Sequence, residues 1–221
     1  MSKIAVIGGT GAQGRGLAYR MALAGHTVVI GSRDASRATE KATEIQAKLT
    51  YEQHVSGSDN TSAAEDSEII ILAVPWDGHA QLVESLAPAL AGKIVISCVN
   101  PLAFDDQGPY GLTLEESAAE ETQRLVPDAA VVGSFHHVAA LSLWKTAAPL
   151  GQEDILVCGD DEDAKNVVIN LAAAITGKPG INAGALRLAR QLEPLTAVLI
   201  NINKQYKIRS GLAISGVEGK L

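Results

Sequence analysis

The amino-acid sequence predicts an α/β fold in which a doubly wound, mainly parallel sheet is covered by helices on both faces. Two observations lead to this prediction. Short apolar runs with strand character alternate with amphipathic segments along most of the 221 residues. The first such run also leads directly into a glycine-rich turn that begins a helix. With 47% apolar residues, the chain can bury the core of one domain and a small extension.

The first predicted strand, residues 3–7, is followed by a G-x-G-x-x-G motif at Gly9, Gly11 and Gly14. The first glycine of this motif permits a tight turn, the second lets the backbone approach a pyrophosphate, and the third lets the next helix pack closely on the strand. The N-terminus of that helix attracts anions through its free N–H groups. The sequence therefore predicts a Rossmann-type dinucleotide site.

The end of the second predicted strand, residues 27–30, indicates which dinucleotide binds. Enzymes that use NAD usually carry an acidic residue there, whereas this chain has Gly31-Ser32-Arg33. Ser32 can donate to a 2′-phosphate, and Arg33 offers a planar fork with Arg37 one helical turn further on. NADP(H) is therefore favoured. In the alternative interpretation Asp34 binds the ribose, although its position past the strand suits a helix cap better.

Further strands are expected at residues 69–74, 93–97, 130–134 and 154–157, with weaker candidates near His54 and Ile181. The helices predicted between the strands are 13–24, 36–49, 78–90, 114–126, 161–175 and 186–203. A change in composition at 147–151 predicts a dinucleotide-binding domain of residues 1–146 and a smaller C-terminal α/β part of residues 147–221.

Ligands of open parallel sheets bind beyond the carboxyl ends of the strands, so the residues that follow each strand are candidates for the site. Val74 and Pro75 follow the strand of 69–74 and could form a wall beside the nicotinamide ribose. Asn100 follows the next strand, and a His136-His137 pair follows the strand of 130–134. These side chains are expected to meet near the redox-active ring.

A residue that could protonate a carbonyl substrate is not evident in the sequence. Carbonyl reduction commonly uses a tyrosine with a lysine four residues later, and none of the four tyrosines has this spacing. Lys178 and Asn182 have the spacing of another catalytic pair, but Pro179-Gly180 interrupts the helix that the pair would need. Hydride transfer between two redox cofactors fits this pattern, because the acceptor ring itself holds the added charge.

Composition and charge exclude several classes of partner. The net charge of −7 argues against nucleic acid and anionic membranes, and no apolar run is long enough to span a bilayer. Cys98 and Cys158 lack metal-ligand spacing and are predicted to be reduced core thiols, so we expect no metal and a cytoplasmic protein. From residue 183 onward the chain has six basic and two acidic residues, and this excess of positive charge would suit a second anionic ligand.

Several motifs together resemble the NADP-dependent coenzyme F420 reductases. They are Gly8-Gly9-Thr10-Gly11, Gly31-Ser32-Arg33, Val74-Pro75-Trp76, Ser134-Phe135-His136, Val157-Cys158-Gly159-Asp160-Asp161 and Leu195-Thr196. The resemblance covers nearly the whole chain. It implies a homodimer that transfers hydride directly and reversibly between nicotinamide and the 8-hydroxy-5-deazaflavin of coenzyme F420.

The resemblance also implies roles for individual residues. The pyrophosphate would lie on Thr10, Gly11, Ala12 and Gln13, and the 2′-phosphate would contact Ser32, Arg33 and Arg37. The nicotinamide would lie beside Val74, Asn100 and Ala140. The deazaflavin would lie against Val138, with His136, Thr196 and Leu212 nearby. One contact departs from the family pattern, since Pro194 replaces a serine two residues before the threonine. His136 is the catalytic candidate, expected to donate to a deazaflavin carbonyl as hydride arrives, with His137 as its rival.

Two other functions are compatible with the same pocket. One is an NADPH-dependent reductase of a metal chelate, flavin, imine or small ketone, and the other is a non-catalytic NADP(H) sensor. Reduction of the deazaflavin by NADPH would distinguish all three.

Overall fold

The computed structural model describes residues 1–50 and 54–217. Its strands are β1 (Lys3–Ile7), β2 (Thr27–Ser32), β3 (Val55–Asp59), β4 (Ile69–Leu72), β5 (Ile94–Ser97), β6 (Leu102–Asp105), β7 (Gly108–Gly111), β8 (Ala130–Ser134), β9 (Leu156–Gly159) and β10 (Ile181–Gly184). The helices are α1 (Ala12–Leu23), α2 (Ala35–Gln46), α3 (Asn60–Glu65), α4 (His79–Leu90), α5 (Ala118–Leu125), α6 (Ala140–Lys145), α7 (Glu162–Leu171), α8 (Ala173–Thr176) and α9 (Ala189–Tyr206).

Eight strands form one sheet in the order β10-β9-β8-β5-β4-β1-β2-β3. All neighbouring pairs are parallel except β8 and β9, which run antiparallel. The prediction of a doubly wound, mainly parallel α/β sheet is therefore confirmed. Both strands that follow residue 146 extend this same sheet, and the division into domains at residue 146 stays a prediction.

Two apolar clusters cover the two faces of the sheet, and the residues of β1 alternate between them. Ile4 and Val6 belong to one cluster, whereas Ala5 and Ile7 belong to the other. This alternation follows from the period of two in a strand, since successive side chains point to opposite faces. Burial on both faces explains why the strands read as continuous apolar runs in the sequence.

Several elements differ from the predictions. The predicted helix of 161–175 is divided into α7 and α8, and the predicted helix of 186–203 begins as a 3-10 turn, Leu186–Leu188, and continues as α9 to Tyr206. The short helices α3 and α6 and the hairpin of β6 and β7 were not predicted. The hairpin packs on α9, where Gly111 leaves room for the ring of Pro194.

Both cysteines are free and buried, as predicted. Burial raises the pKa of each thiol to about 12, so both are protonated and unreactive at neutral pH.

Candidate active site

The glycine turn between β1 and α1 is held by backbone contacts. Gly8 has a φ of +77°, a conformation that favours glycine, and the N–H of Gly9 donates to the carbonyl of Val6 at 3.1 Å. A Cβ on Gly14 would lie 2.6 Å from the carbonyl oxygen of Gly8, so only glycine lets α1 approach the turn this closely. Gly11 precedes α1 in an extended conformation without a side-chain cap. The first N–H groups of α1 are therefore available to a phosphate.

A first cleft of about 460 Å³ extends from this turn toward the end of β2. Ser32, Arg33 and Arg37 line it, as the NADP prediction requires. The carboxylate of Asp34 accepts from the N–H of Ser36 at 2.9 Å and of Arg37 at 3.3 Å, so this residue caps α2. Asp34 also lines the cleft, and both cap bonds use its Oδ1, so the cap accounts for one carboxylate oxygen and favours the capping role.

A second cleft of about 440 Å³ lies on the other side of the glycine turn. Most of the residues predicted for the nicotinamide and the deazaflavin line it: Asn100, His136, Val138, Ala140 and Thr196, with Ala12 and Gln13 at the turn. The two clefts share four lining residues, Gly11, Ala73, Val74 and Pro75. A single extended ligand could therefore occupy both and meet a second molecule in the second cleft.

Some predicted site residues lie elsewhere. Gly9 and Gly14 belong to the turn but line neither cleft. Leu212 also lines neither cleft, and its carbonyl accepts from the N–H of Asp154 at 2.7 Å. Pro194 contacts the hairpin and is likewise absent from the walls of the second cleft. Conversely, the predictions missed several lining residues that no motif marks: Asn60, Asp77, Cys98, Ile200, Asn203 and Ser210.

His136 stands at the centre of a polar cluster that joins β5, β8 and α9. Its Nδ1 lies 3.1 Å from Oδ1 of Asn100, which can only accept, so Nδ1 is the nitrogen that carries the proton. The carbonyl oxygen of His136 accepts from Nδ2 of Asn100 at 3.4 Å and from the hydroxyl of Thr196 at 3.1 Å. Phe135, with a φ of +62°, provides the left-handed bend that directs this turn.

Burial decides the charge of both histidines. It lowers the pKa of His136 to about 3, with a smaller effect from His137, and Nε2 of His136 has no hydrogen-bond partner among the described residues. Burial also lowers the pKa of His137, whose Nε2 donates to the carbonyl of Leu192 at 2.6 Å. Both rings are neutral at physiological pH. For its predicted role, His136 would have to exchange its bond to Asn100 for one to the ligand.

The wall shared by the clefts is fixed by a third buried histidine. His79 follows the loop of Val74 to Gly78, and its ring stacks on Trp76 with 5.4 Å between centroids. Nδ1 of His79 lies 2.7 Å from a carboxylate oxygen of Glu121, and Nε2 lies 3.1 Å from the hydroxyl of Thr122. These bonds tie the loop to α5.

Within the described chain, the second cleft is lined by no tyrosine, lysine or carboxylate. His136 and His137 are the titratable side chains of this kind on its walls, and both are buried. Two of the basic residues toward the C-terminus can be placed. Arg190 donates two hydrogen bonds to Glu120, of 2.7 and 2.8 Å. Arg209 directly precedes Ser210, which lines the second cleft. Lys220 lies outside the described residues.

Two further expectations concern metals and membranes. Among the described residues, we find no group of three side chains suited to holding a metal ion. In the same part of the chain, no helix combines the length and apolar character needed to cross a bilayer.

Comparison with known proteins places these features in a family. Residues 3–101 match the family model described as NADP oxidoreductase, coenzyme F420-dependent. The F420-dependent NADP reductase of Methanocaldococcus jannaschii is 38% identical over 98% of this chain and 99% of its own length, and that of Methanothermobacter marburgensis is 36% identical over 97% and 99%. The crystal structure of a candidate F420-dependent NADP reductase from Arthrobacter sp. FB24 superposes with a TM-score of 0.80, at 30% identity, over 97% of this chain and 100% of that one.

The buried His136 predicts how folding stability depends on pH. Its pKa rises from about 3 in the folded protein toward the ordinary 6.5 on unfolding, so the unfolded chain binds the extra proton. The free energy of unfolding should therefore fall as the pH drops below 6.5, by about 2 kcal/mol at about pH 5 from this residue alone. Urea denaturation of the wild type and His136→Asn between these pH values measures the effect.

The asparagine variant retains an amide that can donate toward Asn100 but has no group that titrates in this range. Its stability should depend less on pH than that of the wild type. The exposed His54→Asn serves as the control and should retain the wild-type dependence. Equal pH dependence in the wild type and His136→Asn would contradict the assignment.

Proposed function

Because the chain belongs to the family of coenzyme F420-dependent NADP reductases, we propose that it catalyses the reversible, direct transfer of hydride between NADP(H) and coenzyme F420. The observation that carries this proposal is the pair of clefts, of about 460 and 440 Å³, which meet at Gly11, Ala73, Val74 and Pro75. The first cleft offers Ser32, Arg33 and Arg37 as donors to a phosphate, and the second has neutral walls that suit two stacked rings.

In this proposal, the glycine turn binds the pyrophosphate of NADP(H). The phosphate groups accept from the N–H groups at the start of α1, and the 2′-phosphate accepts from Ser32, Arg33 and Arg37. The hydroxyl of Ser32 already accepts from the N–H of Asp34 at 3.2 Å, so its own proton is directed elsewhere and can be donated. The nicotinamide then lies beside Val74, Asn100 and Ala140 in the second cleft.

The deazaflavin is proposed to lie against Val138 in the same cleft. Its ring accepts hydride at carbon 5 and delocalises the negative charge, so the protein needs to align the two rings and exclude water rather than to protonate an alkoxide. The neutral walls of the second cleft support this division of roles. The phosphate and glutamate tail would leave toward Ser210, where Arg209 is the nearest basic residue in sequence.

The proposed activity is tested by mixing the protein with oxidised coenzyme F420 and NADPH deuterated at carbon 4 of the nicotinamide. We expect the absorbance band of the oxidised deazaflavin to disappear and deuterium to be found at its carbon 5 by mass spectrometry. Binding of NADPH without reduction would instead favour the sensor. Reduction of a metal chelate, flavin, imine or ketone, with the deazaflavin left oxidised, would favour the other reductase.

The assignment of the 2′-phosphate predicts the effect of Arg33→Ala. Loss of charge-assisted hydrogen bonds should weaken NADPH binding by about 30-fold, while NADH binding should change by less than about threefold. Fluorescence titration of each cofactor measures both affinities. Arg124→Ala is the matched control, because Arg124 pairs with Glu116 at 2.6 Å and lines neither cleft. An unchanged ratio of the two affinities would contradict the assignment of Arg33 to the 2′-phosphate.

The role proposed for His136 predicts a difference between two neighbouring variants. His136→Asn should lower the single-turnover rate of deazaflavin reduction at least about tenfold at neutral pH, with NADPH affinity retained, if His136 stabilises the developing negative charge. His137→Asn should have the smaller effect, because the backbone carbonyl of Leu192 holds the His137 proton at 2.6 Å, whereas the proton of His136 is held at 3.1 Å by a side-chain amide that can rotate. The opposite order would transfer the role to His137.

We further propose that the protein is a cytoplasmic homodimer that binds neither nucleic acid nor membranes. Exposed apolar side chains on the hairpin and α9, including Phe104, Tyr110, Val198 and Tyr206, support self-association. Light scattering should give twice the mass of the 23.0 kDa chain. The mass of a single chain across the working concentration range would contradict the dimer.

A further inference from the structure

Asn60 is a polar residue of the first cleft that the sequence motifs do not mark. It directly follows β3, which pairs with β2 so that Ser32 lies opposite Asp59. This register brings Asn60 beside the end of β2, and its side chain joins Ser32, Arg33 and Arg37 in lining the cleft. The sequence separates Asn60 from Arg33 by 27 positions, so only the sheet brings the two together.

The side chain of Asn60 has no hydrogen-bond partner among the described residues. Its Oδ1 is buried without a partner. A Cβ on Gly31 would lie 3.0 Å from this oxygen, so the glycine of the Gly31-Ser32-Arg33 motif leaves the space in which the amide lies. Because the enclosed oxygen lies toward Gly31, the NH₂ group is the part of the amide that a ligand in the cleft can reach.

Neighbouring polar groups leave Asn60 free for a ligand. Asp59 accepts from the N–H of Ser62 at 3.0 Å and from its hydroxyl at 2.7 Å. Asp34 is directed to the start of α2, and Ser32 accepts from the N–H of Asp34. None of these groups competes for the amide of Asn60.

We propose that Asn60 is a specificity residue for the 2′-phosphorylated ribose of NADP(H). Its NH₂ group donates to an oxygen of the 2′-phosphate, while its Oδ1 stays enclosed beside Gly31. An amide suits this corner because it offers a donor without charge. A carboxylate in its place would repel the phosphate, whereas the ribose of NAD(H) would present two hydroxyl groups to it.

This inference rests on the proposed function only in placing NADP(H) in the first cleft. It is therefore tested by binding alone, with fragments that reproduce the adenosine end. We compare adenosine 2′,5′-bisphosphate with adenosine 5′-monophosphate by isothermal titration calorimetry. Asn60→Asp keeps the size and the acceptor, removes the donor and adds one negative charge.

Asn60→Asp should weaken binding of the bisphosphate at least about 20-fold and binding of the monophosphate by less than about threefold. Asn60→Ala, which adds no charge, should weaken the bisphosphate about fivefold. The charge-matched control is Thr61→Asp, at an exposed neighbouring residue that does not line the cleft, and it should leave both affinities within about twofold.

The inference is overturned if Asn60→Asp and Thr61→Asp have equal effects, or if both fragments lose affinity equally in Asn60→Asp. Thermal unfolding of each variant shows that the compared proteins are folded. A wild type that binds the bisphosphate but does not reduce the deazaflavin would count against the proposed function and not against this role of Asn60.

Discussion

The close approach of α1 to the turn after β1 is the constraint on which the rest of the site depends. Gly14 lies against the backbone of Gly8 and Gly9, and a methyl group there would lie only 2.6 Å from the Gly8 carbonyl oxygen. This contact fixes the start of α1 at the carboxyl edge of the sheet. Because both clefts share Gly11 at that point, the position of the turn sets the geometry of both, including the proposed phosphate site on one side.

The second cleft depends in turn on the hydrogen bonds of the buried His136. His136 is neutral, and its backbone and ring bond to Asn100 after β5 and to Thr196 on α9. Three elements that are distant in sequence are thereby held around one cleft. An ionised group would have to be desolvated there, at a cost of several kcal/mol, whereas the neutral amide, hydroxyl and imidazole can be buried at a lower cost, since Nε2 of His136 is the ring nitrogen left without a partner among the described residues.

The sequence predicts the parts of the site that local interactions determine. The strand, glycine turn and helix at 3–23 and the Ser32, Arg33 and Arg37 group are encoded by contiguous residues, and the structure brings them to one cleft. Asn60 could not be predicted, because its place beside Ser32 is set by the pairing of β3 with β2. The hairpin of β6 and β7 was missed for a related reason. Its segment has no apolar alternation and packs on α9, which is about 90 residues away in the chain.

In the proposed arrangement, the two clefts divide recognition from chemistry. The guanidinium groups of Arg33 and Arg37 lie in the first cleft, where they can select a 2′-phosphate without disturbing the electrostatics around the redox rings. Among the described residues, no charged side chain lines the second cleft, so its walls hold no fixed charge that would favour one ring over the other. Such an environment leaves the stabilisation of developing charge to neutral hydrogen-bond donors, the role proposed for His136. The direction of net transfer is set by the reduction potentials and concentrations of the two coenzymes, because a catalyst leaves that equilibrium unchanged.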